Sequence, residues 1–179
     1  YSGTLDADPG PGIFQLTSNE QDALVIKMSS DGDFDWAVTF PGEYIQEASD
    51  VAVSPDGRLF VTGDFMYDTD FDPGEGEFIM APPGDDDFSG GMDAFLCVLS
   101  LDAEFIEARQ LDGPGFQNRG SVLAIDRNGD IIWSGIFTAG EQTAPGLDFN
   151  PGEGEDYHMS QGFNLNDVFL IKYKPDLTW

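Results

Sequence analysis

The sequence contains one cysteine and only seven basic residues among its 179 positions. Because Cys97 has no second cysteine to pair with, an internal disulfide framework is excluded. No apolar stretch reaches the length of a membrane span. The first residues carry neither a basic start nor an apolar core, so no signal peptide is expected in the sequence. We expect the sequence to be part of a longer chain.

The charge balance is strongly negative. The 34 acidic residues exceed the basic ones by enough to give a net charge of −27. A chain without a basic patch has nothing to displace counterions from phosphates, so we expect neither nucleic acid nor anionic membranes as partners. Such a surface also repels itself unless cations neutralise it. Bound divalent metal is therefore predicted, and surface acidity kept for solubility is the alternative.

The clearest signal in the sequence is an internal repeat. The acidic segment 5–12 recurs at 69–76 and again at 147–154, each time with two acidic or amide residues separated by one position and followed by Pro-Gly. Each copy precedes an apolar run that is opened by an aspartate. Those aspartates are Asp22, Asp93 and Asp167, spaced 71 and 74 residues apart.

Two further segments repeat in step with the acidic loops. Residues 51–63 match residues 123–135, and residues 34–37 match residues 105–108 at a spacing of 71. Turn signals lie between β-rich runs, namely Asp31-Gly32, Asp56-Gly57 and Asn128-Gly129. Such pairs favour hairpins. No apolar pattern of helical period is long enough for a substantial helix.

These observations predict an all-β chain of four-stranded antiparallel blades, like those of a β-propeller. A two-sheet sandwich is the alternative, but it does not explain the repeat. The aromatic residues of the strands are predicted to form the core between blades. They are Phe34, Phe60, Phe95, Phe105, Trp133 and Phe169.

The repeated motif resembles the bacterial β-propeller repeats of the SBBP type. It consists of Asp70-Phe71-Asp72-Pro73-Gly74-Glu75-Gly76, an Asp-opened strand such as 22–27 that ends in lysine, and a segment such as 31–37. In the third copy Asn150 stands in place of the second aspartate. The resemblance implies a secreted or surface-exposed protein with repeats in tandem, and it implies nothing specific about activity.

Aligning the repeats divides the chain into three parts. We expect a partial blade over 1–48, a complete blade over 49–118 and most of a third over 119–179. In this alignment residues 1–3 match 133–135, and residues 177–179 match 34–36. About two and a half blades do not close a ring. Further blades of the same chain or neighbouring copies are therefore expected to complete the ends, and copies that add strands to one another form a ring or a filament.

Calcium is the predicted ion, because it takes six to eight oxygen ligands from carboxylates and carbonyls on tightly curved loops. Two carboxylates one residue apart, followed by a Pro-Gly turn, supply such oxygens. The alternative is an Asx turn, in which each aspartate bonds only nearby backbone amides. The candidate ligands are Asp6, Asp8, Asp64, Asp68, Asp70, Asp72, Glu77, Asp148, Asn150 and Glu155.

The residue inventory does not favour catalysis. His158 is the only histidine, which excludes a zinc site of several histidines. It lies in a variable loop without a recognisable nucleophile motif. A carboxylate pair, as in glycosidases, is uninformative among 34 acids. We therefore expect no enzyme.

Two functions remain in competition. The first is a calcium-rigidified structural or adhesive module of a secreted or surface assembly, including a self-assembling filament. The second is a glycan- or protein-binding domain that uses aromatic residues of its loops. Those residues are Tyr44, Tyr67, Phe116 and Tyr157.

Overall fold

A computed structural model describes residues 1–82, 91–111, 113, 117–138, 146–150, 154–161 and 165–178. The described residues form β-strands and no helix, and every sheet is antiparallel. The predicted all-β class is thus confirmed. The described sheets are open and do not close into a barrel or a ring. No helix in the described part of the chain is long and apolar enough to cross a membrane.

The strands fall into three successive units that repeat the same order. Unit 1 contains two sheet strands, β3 (Ala23–Met28) and β4 (Phe34–Phe40). Unit 2 is a four-stranded meander of β5 (Gln46–Val53), β6 (Arg58–Phe65), β9 (Asp93–Ser100) and β10 (Phe105–Leu111). Unit 3 has three sheet strands, β11 (Arg119–Ile125), β12 (Ile131–Phe137) and β15 (Asp167–Tyr173).

Each unit also carries a short hairpin that precedes its third strand. In unit 1 the hairpin consists of β1 (Gly3–Asp6) and β2 (Gln15–Ser18). In unit 2 it consists of β7 (Thr69–Asp70) and β8 (Ile79–Met80). In unit 3 it consists of β13 (Leu147–Asp148) and β14 (Tyr157–His158). The acidic repeats therefore occupy equivalent positions in the fold.

The sheet of unit 2 lies between the other two units, which is why its central strands carry apolar residues at consecutive positions. Seven of the eight residues are buried on each of β6 and β9. One face of this sheet, which includes Phe95 and Cys97, packs on unit 1. The opposite face, which includes Leu96 and Val98, packs on unit 3. We call the side of each sheet that faces the following unit its front and the other side its back.

Two hydrophobic clusters result, one at each joint between units. The joint between units 1 and 2 buries Ala23, Val25, Phe40, Leu59, Val61, Phe65, Phe71, Met80, Phe95, Cys97, Leu99 and Ala108. The joint between units 2 and 3 buries Phe60, Ala94, Leu96, Val98, Leu111, Leu123, Ile131, Trp133, Phe137, Leu147, Phe149, Phe169, Ile171, Tyr173 and Leu177. Both clusters contain several large aromatic rings, each of which buries a large apolar area.

The predicted core residues are mostly confirmed. Phe60, Phe95, Trp133 and Phe169 are buried at the joints. The other two, Phe34 and Phe105, are only half-buried, and the ring of each contacts an aromatic residue of a hairpin; Phe105 also packs against the cluster between units 1 and 2. The ring centroid of Phe14 lies 5.0 Å from that of Phe34, and the ring centroid of Phe78 lies 4.8 Å from that of Phe105.

The predicted turns are present, with a glycine where the backbone needs a positive φ. Gly32, Gly57 and Gly129 have φ angles of 86°, 82° and 83°. Such a conformation carries no steric cost for glycine. Gly32 lies in the turn after the third strand of unit 1. Ala103 holds the same position in unit 2 and Leu177 holds it in unit 3, with φ angles of 64° and 56°.

The backbone pairing corrects the alignment of both ends. Tyr1 exchanges two hydrogen bonds with Asp22, of 2.9 and 3.0 Å. Phe65 pairs with Asp93 in the same way, so Tyr1 corresponds to Phe65 and lies four residues further along the unit than the sequence alignment placed it. Leu177 occupies the turn position of Ala103, two residues before the position predicted for it.

The two predicted divisions lie at different places relative to the strands. The division at 118/119 coincides with the start of β11, whereas the division at 48/49 falls inside β5, which begins at Gln46. The apolar side chains of β5 are partly exposed, which made the start of this strand hard to identify from its sequence.

Candidate functional site

The described residues of the three acidic repeats lie at the tips of the three hairpins, and residues 151–153 of the third repeat lie outside the described residues. Each tip begins with an aspartate at the end of the first hairpin strand, namely Asp6, Asp70 or Asp148. The next residue closes the hairpin with a backbone hydrogen bond, as in Phe71, whose amide donates to the carbonyl of Phe78 at 3.0 Å. Each tip is therefore a short loop of fixed register.

The first aspartate of each tip holds the loop by accepting two backbone amides on one oxygen. In unit 2, Oδ1 of Asp70 accepts from the amides of Asp72 at 3.0 Å and Phe78 at 2.9 Å. The same pattern recurs in units 1 and 3. There Asp6 accepts from Asp8 and Phe14, and Asp148 accepts from Asn150 and Asp156, at 2.9–3.2 Å.

The second acidic residue turns inwards over the glycines. Oδ1 of Asp72 accepts from the amide of Gly74 at 2.8 Å. Its Oδ2 lies where a side chain at Gly76 would be, since a Cβ there would come within 2.3 Å of it. A Cβ at Gly12 would likewise come within 2.0 Å of Oδ2 of Asp8. The second glycine of the motif is therefore required by contact with the carboxylate.

Asn150 fits the third tip because its amide has the shape of the carboxylate. A Cβ at Gly154 would lie 2.2 Å from its Nδ2, the counterpart of Oδ2 in Asp72. The position therefore accepts either a charged or a neutral side chain of this shape. That tolerance is expected for an Asx turn, which needs a short side-chain oxygen and no charge.

The middle residue of each Asp-x-Asp motif anchors the hairpin to its sheet. Ala7, Phe71 and Phe149 are all buried. The ring of Phe71 lies 4.8 Å from that of Phe95, and the ring of Phe149 lies 5.1 Å from that of Phe137. The acidic oxygens thus stay at the surface while the residue between them enters the core.

The four other predicted ligands lie in different surroundings. Asp68, Glu77 and Glu155 are exposed. Asp64 lies on β6, where its side chain is buried at the joint with unit 3. Among the described residues, no group of three or more His, Cys, Asp or Glu side chains is placed to hold an ion.

In units 1 and 2, the Oδ1 atoms of both acidic residues of the tip accept backbone amide hydrogens. Calcium takes six to eight oxygen ligands, and an Asx turn needs only these amide contacts. The geometry favours the Asx-turn alternative. Calcium binding at these residues stays a prediction.

Asp64 has the most unusual environment of the acidic residues. Its Oδ1 is 4.0 Å from Nε of Arg119, and its Oδ2 has no hydrogen-bond partner within the described residues. Burial raises the pKa of this carboxyl to about 6, although Arg119 opposes the shift and Glu47 adds to it. The two charged side chains lie at the joint between units, where sequence reasoning did not place them.

The predicted loop aromatics are brought together in one case. Tyr44 and Tyr67 have ring centroids 5.0 Å apart, and both residues have positive φ angles of 67° and 58°. A non-glycine residue in this conformation is uncommon and marks a site that the surrounding structure must hold in place. Tyr157 is exposed on β14, and Phe116 lies outside the described residues.

His158 lies at the surface, 3.0 Å from Oδ1 of Asp156. It borders an open cleft of apolar and acidic side chains next to β15. The residues lining the cleft are Phe137, Phe149, Asp156, His158, Met159, Asp167, Val168, Phe169, Leu170 and Ile171. Among the described residues that line the cleft there is no serine, threonine, cysteine or lysine.

Polar residues at the joints were missed in the sequence, and they tie the units together. The indole of Trp133 donates to Oγ1 of Thr62 at 2.7 Å, and this hydroxyl donates to the carbonyl of Phe95 at 2.8 Å. Nδ2 of Asn118 donates to Oδ1 of Asp93 at 2.9 Å. Thr62 and Ser134 occupy matching positions of the repeat, which was the available signal.

No family model, no curated protein and no solved structure matches this chain. The resemblance to SBBP-type repeats rests on the motif residues alone. The geometry of the tips and joints therefore carries the functional argument.

Proposed function

We propose that this chain is a non-catalytic structural or adhesive module of a secreted or cell-surface repeat protein, and that its units are propeller-like blades. The observation that carries the proposal is that one type of joint occurs twice in succession, front face on back face. Such stacking of like units is how repeat proteins build extended or ring-shaped scaffolds. The strongly acidic surface keeps a module of this kind soluble.

The backbone-bonded tips support a mechanical role. In each tip the first aspartate accepts hydrogen bonds from backbone amides of its own loop, and the middle residue of the Asp-x-Asp motif is buried in the core. Groups that are already paired in this way add rigidity but are poorly placed for acid–base chemistry.

Two measurements test the proposal. The rates at which wild type and His158→Ala hydrolyse chromogenic glycosides, esters, phosphate esters and casein should both match the rate of the buffer blank. Turnover that His158→Ala abolishes would contradict a non-catalytic module.

Unfolding followed by tryptophan fluorescence and by circular dichroism should give coincident transitions, because the joints couple the units; separate transitions would contradict a coupled scaffold.

A glycan-binding function is the second candidate, and the Tyr44–Tyr67 pair is the observation that favours it. Strained, partly exposed aromatic rings at the surface suit stacking on sugar rings. Wild-type protein applied in solution should bind to immobilised glycans on an array, and Tyr44→Ala and Tyr67→Ala should lose that binding. Tyr157→Ala is the matched control and should behave as wild type. Equal retention by all four proteins would remove this candidate.

A further inference from the structure

We propose that the front face of unit 3 binds the back face of unit 1 in a second copy of this chain. This inference rests on the proposed structural function and names the surface and the partner. It follows from comparing residues that occupy the same position in successive units.

The front face of unit 3 is the uncovered equivalent of a surface that is buried twice within the chain. Strand pairing places Val168 at the position of Ala94, and Leu170 at the position of Leu96. Ala94 and Leu96 are both 0% exposed at the joint with unit 3, whereas Val168 and Leu170 are 74% and 75% exposed. Such exposure of two large apolar side chains on one strand marks an interaction surface.

The matching positions in unit 1 behave as those in unit 2. Ala23 and Val25 occupy the same positions on β3 and are 3% and 7% exposed, because the sheet of unit 2 covers them. The front face is thus covered in units 1 and 2 by the same kind of partner, the back face of a like unit.

The complementary back face is also uncovered once. Ile26 of unit 1 lies at the position that Cys97 has in unit 2 and Ile171 has in unit 3. Cys97 and Ile171 are 0% and 3% exposed, whereas Ile26 is 41% exposed. Met28, on the same side of β3, is 46% exposed. One chain therefore carries both halves of a joint that it already forms twice.

The polar groups of the exposed front face repeat those of the buried one. Oγ of Ser134 donates to the carbonyl of Phe169 at 2.8 Å, as Oγ1 of Thr62 does to Phe95. Lys172 occupies the position of Lys27, whose Nζ donates to the carbonyl of Leu101 in the next unit at 2.9 Å; Nζ of Lys172 is instead paired with Asp126 and Asp130 of its own unit, at 2.9 and 2.8 Å. The face is equipped for the same kind of contact.

A joint between copies of this type is heterologous, because the front of one copy meets the back of another. Heterologous contacts continue from copy to copy and form rings or filaments. The net charge of −27 opposes the contact, so association should strengthen with salt. At about 1 M ionic strength the Debye length falls to about 3 Å, which removes most of the repulsion between exposed charges.

Sedimentation velocity of the purified chain at low and high salt tests the proposal. The mass of the wild type should rise with concentration, and more steeply at high salt. Leu170→Asp changes only the front face, and Ile26→Asp changes only the back face. The dissociation constant for self-association of each variant should be about tenfold or more above that of the wild type. Each variant alone should therefore remain a monomer at concentrations where the wild type associates. Ile13→Asp is the matched control, since Ile13 is 81% exposed on a hairpin, and it should associate as wild type.

Mixing the two variants gives the decisive result. The intact front of Ile26→Asp and the intact back of Leu170→Asp should form one heterodimer that does not grow further. A monomeric wild type at every concentration and salt would overturn the proposal. So would self-association of Ile26→Asp, which would indicate a front-to-front contact. Circular dichroism checks that each variant is folded, and none of these outcomes depends on the turnover or unfolding results that test the proposed function.

Discussion

The indole nitrogen of Trp133 donates a 2.7 Å hydrogen bond to the hydroxyl of Thr62, 71 residues earlier in the chain. Both residues are buried, with exposures of 1% and 0%. The approach is close, because a Cβ at Gly120 would lie 2.0 Å from the same hydroxyl. This single contact joins the back of unit 3 to the front of unit 2, and it explains why the second residue of β11 is a glycine.

Replacing this hydroxyl tests how much the joint contributes to stability. Thr62→Val keeps the volume but leaves the indole N–H of Trp133 buried without an acceptor, so we expect a loss of about 1–3 kcal/mol in the free energy of unfolding. Urea denaturation measures it. Ser134→Ala removes the equivalent but half-buried hydroxyl of unit 3 and should cost less than about 1 kcal/mol. Equal losses in the two variants would show that the joint bond has no special weight.

The hairpin tips should depend on the shape of the second acidic side chain rather than on its charge. Asp72→Asn should leave the free energy of unfolding within about 0.5 kcal/mol of wild type, because Asn150 already fills the matching position. Asp72→Ala should cost about 1 kcal/mol, since the amide of Gly74 loses its acceptor. Urea denaturation of both variants checks this. An asparagine variant as unstable as the alanine variant would indicate that a charge, and hence a cation, is needed.

Removing calcium should leave the fold intact, because backbone amides hold the acidic loops. We expect circular dichroism in EDTA to match that in buffer, with a melting temperature that moves only as far as ionic strength requires. The measurement compares calcium, magnesium and sodium salts at equal ionic strength. A rise in the melting temperature that is specific to calcium, and smaller in Asp72→Asn, would instead support the calcium hypothesis.

The pH dependence of stability should carry the signature of Asp64. Its pKa is raised to about 6 by burial, so the folded state binds the proton more tightly than the unfolded state does. The carboxyl therefore lowers stability as the pH rises from about 4 to about 6, by up to about 1.4 kcal/mol per pH unit, and the penalty stays constant above that range.

Asp64→Asn isolates this effect from the other acids. The difference in the free energy of unfolding between Asp64→Asn and wild type should shift in favour of the variant across that pH window. Asp56→Asn is the control, because hydrogen bonds from Ser54 and Arg58 hold the pKa of that exposed carboxyl below its usual value. A difference between Asp64→Asn and wild type that does not change with pH would show that Asp64 titrates normally.

Much of the architecture follows from local signals in the sequence. The period of the acidic loops, the turn glycines and the aspartates that open the apolar runs predict repeated antiparallel strands. Each signal acts within a few residues, as Gly57 shows, where the turn itself requires a positive φ of 82°. Phe71 and Phe149 are single apolar residues between two polar ones, and both are buried.

The tertiary structure decided what those residues contact. The same aspartates satisfy either a cation or a backbone amide, and only the fold of the hairpin places the amides of Asp72 and Phe78 at one oxygen of Asp70. It also decided that Asp64 is buried opposite Arg119 rather than grouped with the loop. Local sequence determines strands and turns because their energetics are local; partners brought together over about 70 residues of chain depend on how whole sheets stack.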